Sequence, residues 1–282
     1  MNKDEVIDLI KEDVSKDLHI HTVFSDGVLT PEQVVDRWSS EGKKTIAITD
    51  HDGIDGSVVA VDYAKDKDIN VIPGIEFDSH NELGHNMHIL GYGIDYDDEN
   101  LQAKLKQMLV WRKERNDSIR EELHRRGMDV TDEELYAVNE GRYIGKPTFA
   151  RILIDRGLYK DMADVFNNLL SSAAGFKYNR KETFTSKEIV DTIHAAGGIV
   201  VLAHPMEQMK TGESWEEFEP RLVELLDTFV GYGIDGIECW HPSASEEKSV
   251  YLAKYADDHA LLKTRGSDFH FDGLNRIYTR GR

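Results

Sequence analysis

The chain has one cysteine, Cys239, in 282 residues. No disulfide framework can hold it, and no set of thiolates can bind a metal. Positive charge is also scarce: 34 Lys+Arg stand against 53 Asp+Glu, a formal net charge of −19. That balance excludes a protein that coats duplex DNA or an anionic membrane by bulk attraction, so any nucleic-acid substrate must be held locally. Long apolar runs are missing too. No stretch approaches the roughly 18–20 residues a membrane span needs, and the opening "MNKDEVIDLIKEDVSK" is charged throughout, unlike a signal peptide. There is no internal repeat and no low-complexity tract. The expectation is a soluble, cytoplasmic protein.

What is present suits a sizeable core. Hydrophobic residues make up 40% of the chain, and α/β barrels commonly fill this length as one domain. Short apolar runs alternate with helical periodicity. "LHIHTV", "KTIAITD", "INVIPGIEF", "MHILGYGI", "GIVVLAHP", "GIDGIECW" and "LLKTRGSDFH" read as buried strands. "PEQVVDRWSSEG", "GSVVAVDYAKDK", "SKEIVDTIHAAGG", "WEEFEPRLVELLDTFVGYG" and "SEEKSVYLAKYADDHA" read as helices, several ending at glycine. About seven strands, most followed by a helix, predict a parallel sheet or barrel.

The middle breaks that rhythm. Residues 99–182 read as helical, which predicts a barrel built from 1–98 and 183–282 with an inserted helical subdomain between. Residues 101–182 carry 16 Lys+Arg and 13 Asp+Glu, which leaves 18 and 40 for the rest of the chain. Nearly all the negative charge therefore sits on the scaffold, and a slightly basic insert is suited to face an anionic ligand. Most of its individual charges read as solvated i,i+4 pairs.

Ligand-type side chains fall at strand ends. His19 and His21 lie two apart on the first strand and so share a face; Asp26 follows in the next loop. Asp50, His51 and Asp52 end the second strand, and Glu76 lies on the third. His85 and His88 sit at the edge of the fourth, His204 ends the fifth, His241 the sixth, and Asp268 and His270 follow the last. In α/β barrels chemistry gathers at such ends. His124, His194 and His259 sit in helical patterns without partners and read as surface or core residues, and His80 reads as solvated in a polar turn. A mixed nitrogen and oxygen donor set suits Zn, Mn or Fe. So many donors exceed one ion with an open position and predict two or three ions sharing a carboxylate. Ions about 3.5–4 Å apart would activate a bridging hydroxide for attack on a phosphate ester.

The ordered motifs "DLHIHTVFSDGVLTPEQVV", "AITDHDGIDG", "GIEF", "HNMHILGYGID", "AHP" and "GSDFH", together with "YIGKPTFARILIDRG", resemble the PHP (polymerase and histidinol phosphatase) family of metal-dependent phosphoesterases. The match is nearest to the branch holding nucleoside 3′,5′-bisphosphate phosphatases and a short-RNA 5′-exonuclease. The resemblance implies a distorted (β/α)7 barrel with a trinuclear centre. It implies one ion on His19, His21, Glu76 and Asp268, a second on Asp26, His51 and His270, and a third on Glu76, His88 and His204, with Glu76 bridging. His85 could replace or support His88, which is preferred because it directly begins the apolar run. Asp50 and Asp52 read as orienting His51 or its loop.

For substrate phosphate the candidate donors are Arg142, Lys146, Arg151 and Arg180 of the insert. His241 reads as a general acid, a substrate contact or a structural histidine before proline, and Cys239 as a buried small residue. Asp26, Glu76 and His241 are the expected catalytic residues. The expected substrate is a 3′,5′-bisphosphonucleotide or a short 5′-phosphorylated single-stranded RNA, with neither duplex DNA nor a membrane as partner. Histidinol phosphate hydrolysis, C–N hydrolysis and a non-catalytic interaction module are the rival readings.

Overall fold

The computed structural model describes residues 1–282 except 13, 83, 140–142, 180 and 272–282. It opens with a helix that the charged N-terminus did not suggest, α1 (Lys3–Lys11). Asn2 caps it: the Asn2 side chain accepts from the Glu5 amide, and Glu5 accepts from the Asn2 amide. Val6 and Ile10, four residues apart, bury one side of it. The chain continues as β1 (Lys16–Ile20), α2 (Pro31–Ser40), β2 (Thr45–Ile48), α3 (Asp55–Tyr63), β3 (Asn70–His80) and β4 (Asn86–Tyr92). Helices α4 (Glu99–Arg125), α5 (Asp132–Asn139), α6 (Lys146–Asp155) and α7 (Met162–Asn168) follow. A two-residue strand, β5 (Phe184–Thr185), leads into α8 (Ser186–Ala195), β6 (Ile199–Leu202), α9 (Trp215–Tyr232), β7 (Gly236–Trp240), α10 (Glu246–Asp258) and β8 (Leu262–Arg265).

The sheet runs β1-β2-β3-β4-β6-β7-β8, with β5 paired to β3. Its ends meet. Ile20 bridges Phe269 just beyond β8, the His21 amide donates to the Phe269 carbonyl, and the Asp268 amide donates to the His19 carbonyl, both at 2.9 Å. The result is a nearly closed, distorted barrel. One strand departs from the expected parallel arrangement: β4 runs antiparallel to both β3 and β6. The connection from β3 to β4 is too short for the crossover that parallel pairing needs, so β4 must return as a hairpin partner.

Alternation explains the layering. Ala47, Ile72, Leu90 and Val201 come from four neighbouring strands and pack with Val6 and Ile10, so α1 plugs one end of the barrel. Their sequence neighbours Ile46, Ile48 and Val71 pack outward against α2 and α3, and Ile89, Val200 and Leu202 pack outward against α8 and α9. Each fully buried aliphatic side chain contributes about 1.5–3 kcal/mol.

Helix α4 serves two cores. Leu101, Leu105 and Met108 belong to the barrel's outer cluster. Ile119 and Leu123 belong to a separate cluster with Phe149, Leu153, Val165 and Leu169. At 27 residues, about 40 Å of helix, it reaches across both.

Candidate metal centre

Following the inward face of β3 from Ile72 leads through Gly74 to Glu76. On antiparallel β4 the inward face leads from Leu90 to His88, and the register pairs Glu76 with Leu90 and Asp78 with His88. Two strands thus deliver a carboxylate and an imidazole to the same end. From β2, His51 keeps the parity of Ala47 and bridges Glu76. His204 would fall off the face set by Val201 and Ala203, but its backbone turns to φ 25° and returns the ring to the centre. Asp268 (φ 50°) and Asp52 (φ 51°) share this left-handed conformation. Non-glycine residues seldom adopt it, and they hold it only where the surroundings enforce it.

Glu76 is the hub. Its Oε2 lies 3.3, 3.2 and 3.1 Å from His19 Nε2, His21 Nε2 and His51 Nδ1. Its Oε1 lies 2.9 Å from His88 Nδ1 and 3.1 Å from His204 Nε2. Asp268 Oδ1 is 3.4 Å from His19 Nε2 and 3.1 Å from His21 Nε2. Asp26 Oδ1 is 3.2 Å from His270 Nε2 and 3.9 Å from His51 Nε2. The structure therefore gathers all nine residues expected as ligands. His85, by contrast, is exposed just before β4.

The donor set fits divalent ions. Ligand-type atoms lie within 4.8 Å of one another in the groups His21–Asp26–His51–His270, His19–His21–Glu76 and His51–Glu76–His88. Yet His19 Nε2, His21 Nε2, Asp26 Oδ1, His51 Nδ1 and Glu76 Oε2 are buried without a hydrogen bond. They crowd together without hydrogen bonds, an arrangement that is costly unless a cation is shared among them. His51 presents one ring nitrogen to Asp26 and the other to Glu76, so it stands between two groups. Cys239 takes no part: its Sγ donates to the Ile237 carbonyl, and burial pushes the thiol up to about 12.

Electrostatics follow from the same contacts. Burial alone would raise Glu76, but the charges of His51, His88 and His19 hold it well below the usual carboxylate range. Burial would likewise raise Asp26 and Asp268, and the surrounding histidines outweigh it at both. All three stay ionised and available as ligands.

A surrounding layer of side chains holds the donors in place, and sequence reasoning missed most of it. Glu238 Oε1 pairs with His19 Nδ1. A carboxylate inside the apolar run "GIECW" was the signal that could have found it. Gly266 lets the chain pass this pair, because a Cβ there would lie 2.2 Å from His19 Cβ. Asp50 accepts from the Thr22 amide and hydroxyl at 2.7 Å and from Ser25 Oγ at 2.5 Å, tying the loop that carries Asp26. Asp52 Oδ2 accepts from Arg112 Nη2 at 2.8 Å and from Lys181 Nζ, and Lys181 also reaches Asp78 at 2.7 Å. Asp78 Oδ1 in turn lies 3.3 Å from both His51 Nδ1 and His88 Nε2.

The substrate side is more open. A cavity of about 570 Å³ lies between the loop after β1 and the inserted helices, lined by Ser25, Asp26, Thr148, Arg151, Met162 and Phe271 among others. Lys146 opens α6, with its ammonium 5.5 Å from the Tyr178 ring centre. Arg142 and Arg180 lie outside the described residues. His241 Nε2 is 3.2 Å from Asp268 Oδ2, and its Nδ1 accepts from the Ser243 amide at 3.1 Å. In a neutral ring that bond places the proton on Nε2, facing the centre.

A nearly closed barrel whose strand ends converge on carboxylates and imidazoles is the architecture of a metal-dependent hydrolase, and similarity to known proteins places the chain among the phosphoesterases, hydrolases of phosphoester bonds. The PHP domain model matches residues 17–239, and the chain belongs to that family. It is 33% identical over 258 residues to a 3′,5′-nucleoside bisphosphate phosphatase of Chromobacterium violaceum, covering 91% of this chain and 87% of that protein. It is 31% identical over 255 residues to a 5′-3′ exoribonuclease of Haemophilus influenzae, covering 90% and 89%. The crystal structure of a metal-dependent phosphoesterase from Bifidobacterium adolescentis matches with a TM-score of 0.80 and 30% identity, covering 93% of this chain and 90% of that one. Among the described residues no helix is long and apolar enough to cross a membrane.

Proposed function

We propose that the chain hydrolyses the phosphate ester of a small nucleotide, first a nucleoside 3′,5′-bisphosphate and second a short 5′-phosphorylated RNA. The observation that carries this reading is Glu76, a single buried carboxylate set between His19, His21 and His51 on one oxygen and His88 and His204 on the other. Two or three divalent ions, Mn, Fe or Zn, would be held by His19, His21, Glu76 and Asp268; by Asp26, His51 and His270; and by Glu76, His88 and His204. When bound, such ions supply charge neutralisation at phosphorus and an acidified water as nucleophile.

The chain's own residues do the rest. Asp26, a carboxylate that lines the open cavity and lies 3.2 Å from His270 Nε2, accepts a proton of the attacking water. His241, with its Nε2 proton turned to the centre, protonates the leaving oxygen. Lys146 and Arg151, with Arg142 and Arg180, offer charge to the phosphate. The open cavity beside Asp26 has room for a nucleoside, and the names of the two relatives support the nucleotide class.

The test is phosphate release by the Mn-loaded chain from adenosine 3′,5′-bisphosphate, AMP, histidinol phosphate and a 5′-phosphorylated oligoribonucleotide. Fastest turnover of the bisphosphate is expected. Equal rates on all four, or none on any, would defeat the proposal.

A further inference from the structure

Arg115 is a buried cation that forms no ion pair among the described residues. It stands three residues after Arg112 on α4, about 4.5 Å further along the axis, and is only 8% exposed. Arg112 is neutralised, with its Nη2 donating to Asp52 Oδ2 at 2.8 Å and to the His51 carbonyl at 3.2 Å. Among the described residues Arg115 donates to Asn116 Oδ1 alone, a neutral acceptor, from Nε at 3.2 Å and Nη2 at 3.0 Å. Asn116 in turn donates to the Ile144 carbonyl at 2.7 Å, which fixes the pair against the segment leading into α6. Among the described residues no carboxylate pairs with Arg115, and its Nη1 carries no hydrogen bond.

The surroundings point outward to a ligand. The groups that act electrostatically on Arg115 are Tyr143, Arg112, Asp78 and Tyr178. Asp78 lies 3.3 Å from two imidazoles of the metal centre, and Arg112, three residues before Arg115 on the same helix, bonds the His51 carbonyl, which brings this turn of α4 to the centre's edge. Tyr143 lies 4.4 Å beneath the Arg112 guanidinium, and the ring of Tyr178 faces Lys146. Two guanidiniums one turn apart repel each other, and burying one of them unpaired is strongly unfavourable. A dianion at Arg115 removes both penalties, and the planar fork suits two phosphate oxygens.

We propose that Arg115 seats a second, non-reacting phosphate of the substrate. This makes it a specificity-determining residue that separates bisphosphorylated from monophosphorylated nucleotides. The inference rests on the phosphoester reading above and adds to it the part of the substrate that does not react.

The test compares adenosine 3′,5′-bisphosphate with adenosine 3′-monophosphate, which differ only in the 5′-phosphate, on the Mn-loaded chain. Arg115→Met is expected to lower the ratio of the two kcat/KM values by about 30- to 100-fold. Arg115→Lys, which keeps the charge and loses the fork, is expected to lower it about tenfold, and it serves if the methionine variant fails to fold. An unchanged ratio in the lysine variant, or an equal loss on both substrates, would overturn the proposal. Were the wild-type chain to hydrolyse neither compound, the phosphoester reading would fail by itself. Thermal protection by AMP would then decide the seat. Protection lost in Arg115→Lys sustains it, and protection absent from the wild type or equal in both overturns it.

Discussion

His19 Nδ1 stands 3.1 Å from Glu238 Oε1, with both side chains fully buried. The other oxygen of Glu238 accepts the His204 amide at 2.9 Å. One carboxylate on β7 thus fixes the ring orientation of a histidine on β1 and the backbone turn that aims a second histidine from β6. Outer partners of this kind tune ligand basicity and geometry. Glu238→Gln is expected to weaken metal binding by about 10- to 100-fold, measured by competition with a chromogenic chelator. Unchanged affinity would remove Glu238 from the site's support.

Because Glu76 faces five imidazoles, its loss reaches more than one ion position. Glu76→Ala is expected to lower metal content by more than one equivalent and to abolish phosphate release. Elemental analysis of the purified variant gives the stoichiometry, and near-normal turnover would refute the bridging role.

Metal uptake is expected to release protons. Burial alone would lower His21, but Asp268 and Glu76 outweigh it and push the ring up to about 10. Burial would also lower His204, which Glu207 and Glu76 push up to about 9. In the metal-free chain both rings therefore hold protons at pH 7.5, and a metal must displace them. Titration of Mn in two buffers of different ionisation enthalpy measures the release; equal heats would contradict it. The same shifts stabilise the metal-free fold fully below the ordinary histidine range. That contribution is lost as pH rises through about 9 to 10.

Phe149 is fully buried in the cluster of the inserted helices, beside Ile119, Leu123 and Leu153. Phe149→Ala is expected to destabilise the chain by about 3–5 kcal/mol, read from denaturant unfolding. A loss under about 1 kcal/mol would mean that the cluster collapses around the gap.

Much of the site is legible because alternation along a strand is a local property. The two histidines of "HIH" share a face wherever the strand lies, and Glu76 inherits its inward direction from Ile72. Thr30 and Pro31 likewise announce the start of α2, where Thr30 accepts from the Gln33 amide. Other features resist the same reading. The charged N-terminus hides α1 because its apolar face is short: Val6 and Ile10 are buried, with Ile7 and Leu9 partly buried beside them. The reversal of β4 leaves no mark in an apolar run, since both strand directions bury the same residues. Arg112 and Arg115 look like ordinary solvated charges on a long helix until α4 is laid across the barrel's mouth.

Residue type and strand position were therefore enough to place the candidate ligands at strand ends, since each depends on a few neighbouring residues, and the family resemblance narrowed them to nine. Which nitrogen meets which oxygen was decided by contacts between distant segments. Barrel closure at Ile20 and Phe269 brings Asp268 to His19, and the turn at His204 restores a ring that strict alternation would have sent outward. Glu238, 219 positions from His19, belongs to the site for the same reason. A side chain's direction along a strand is set locally, but its partner is set by where the sheet closes.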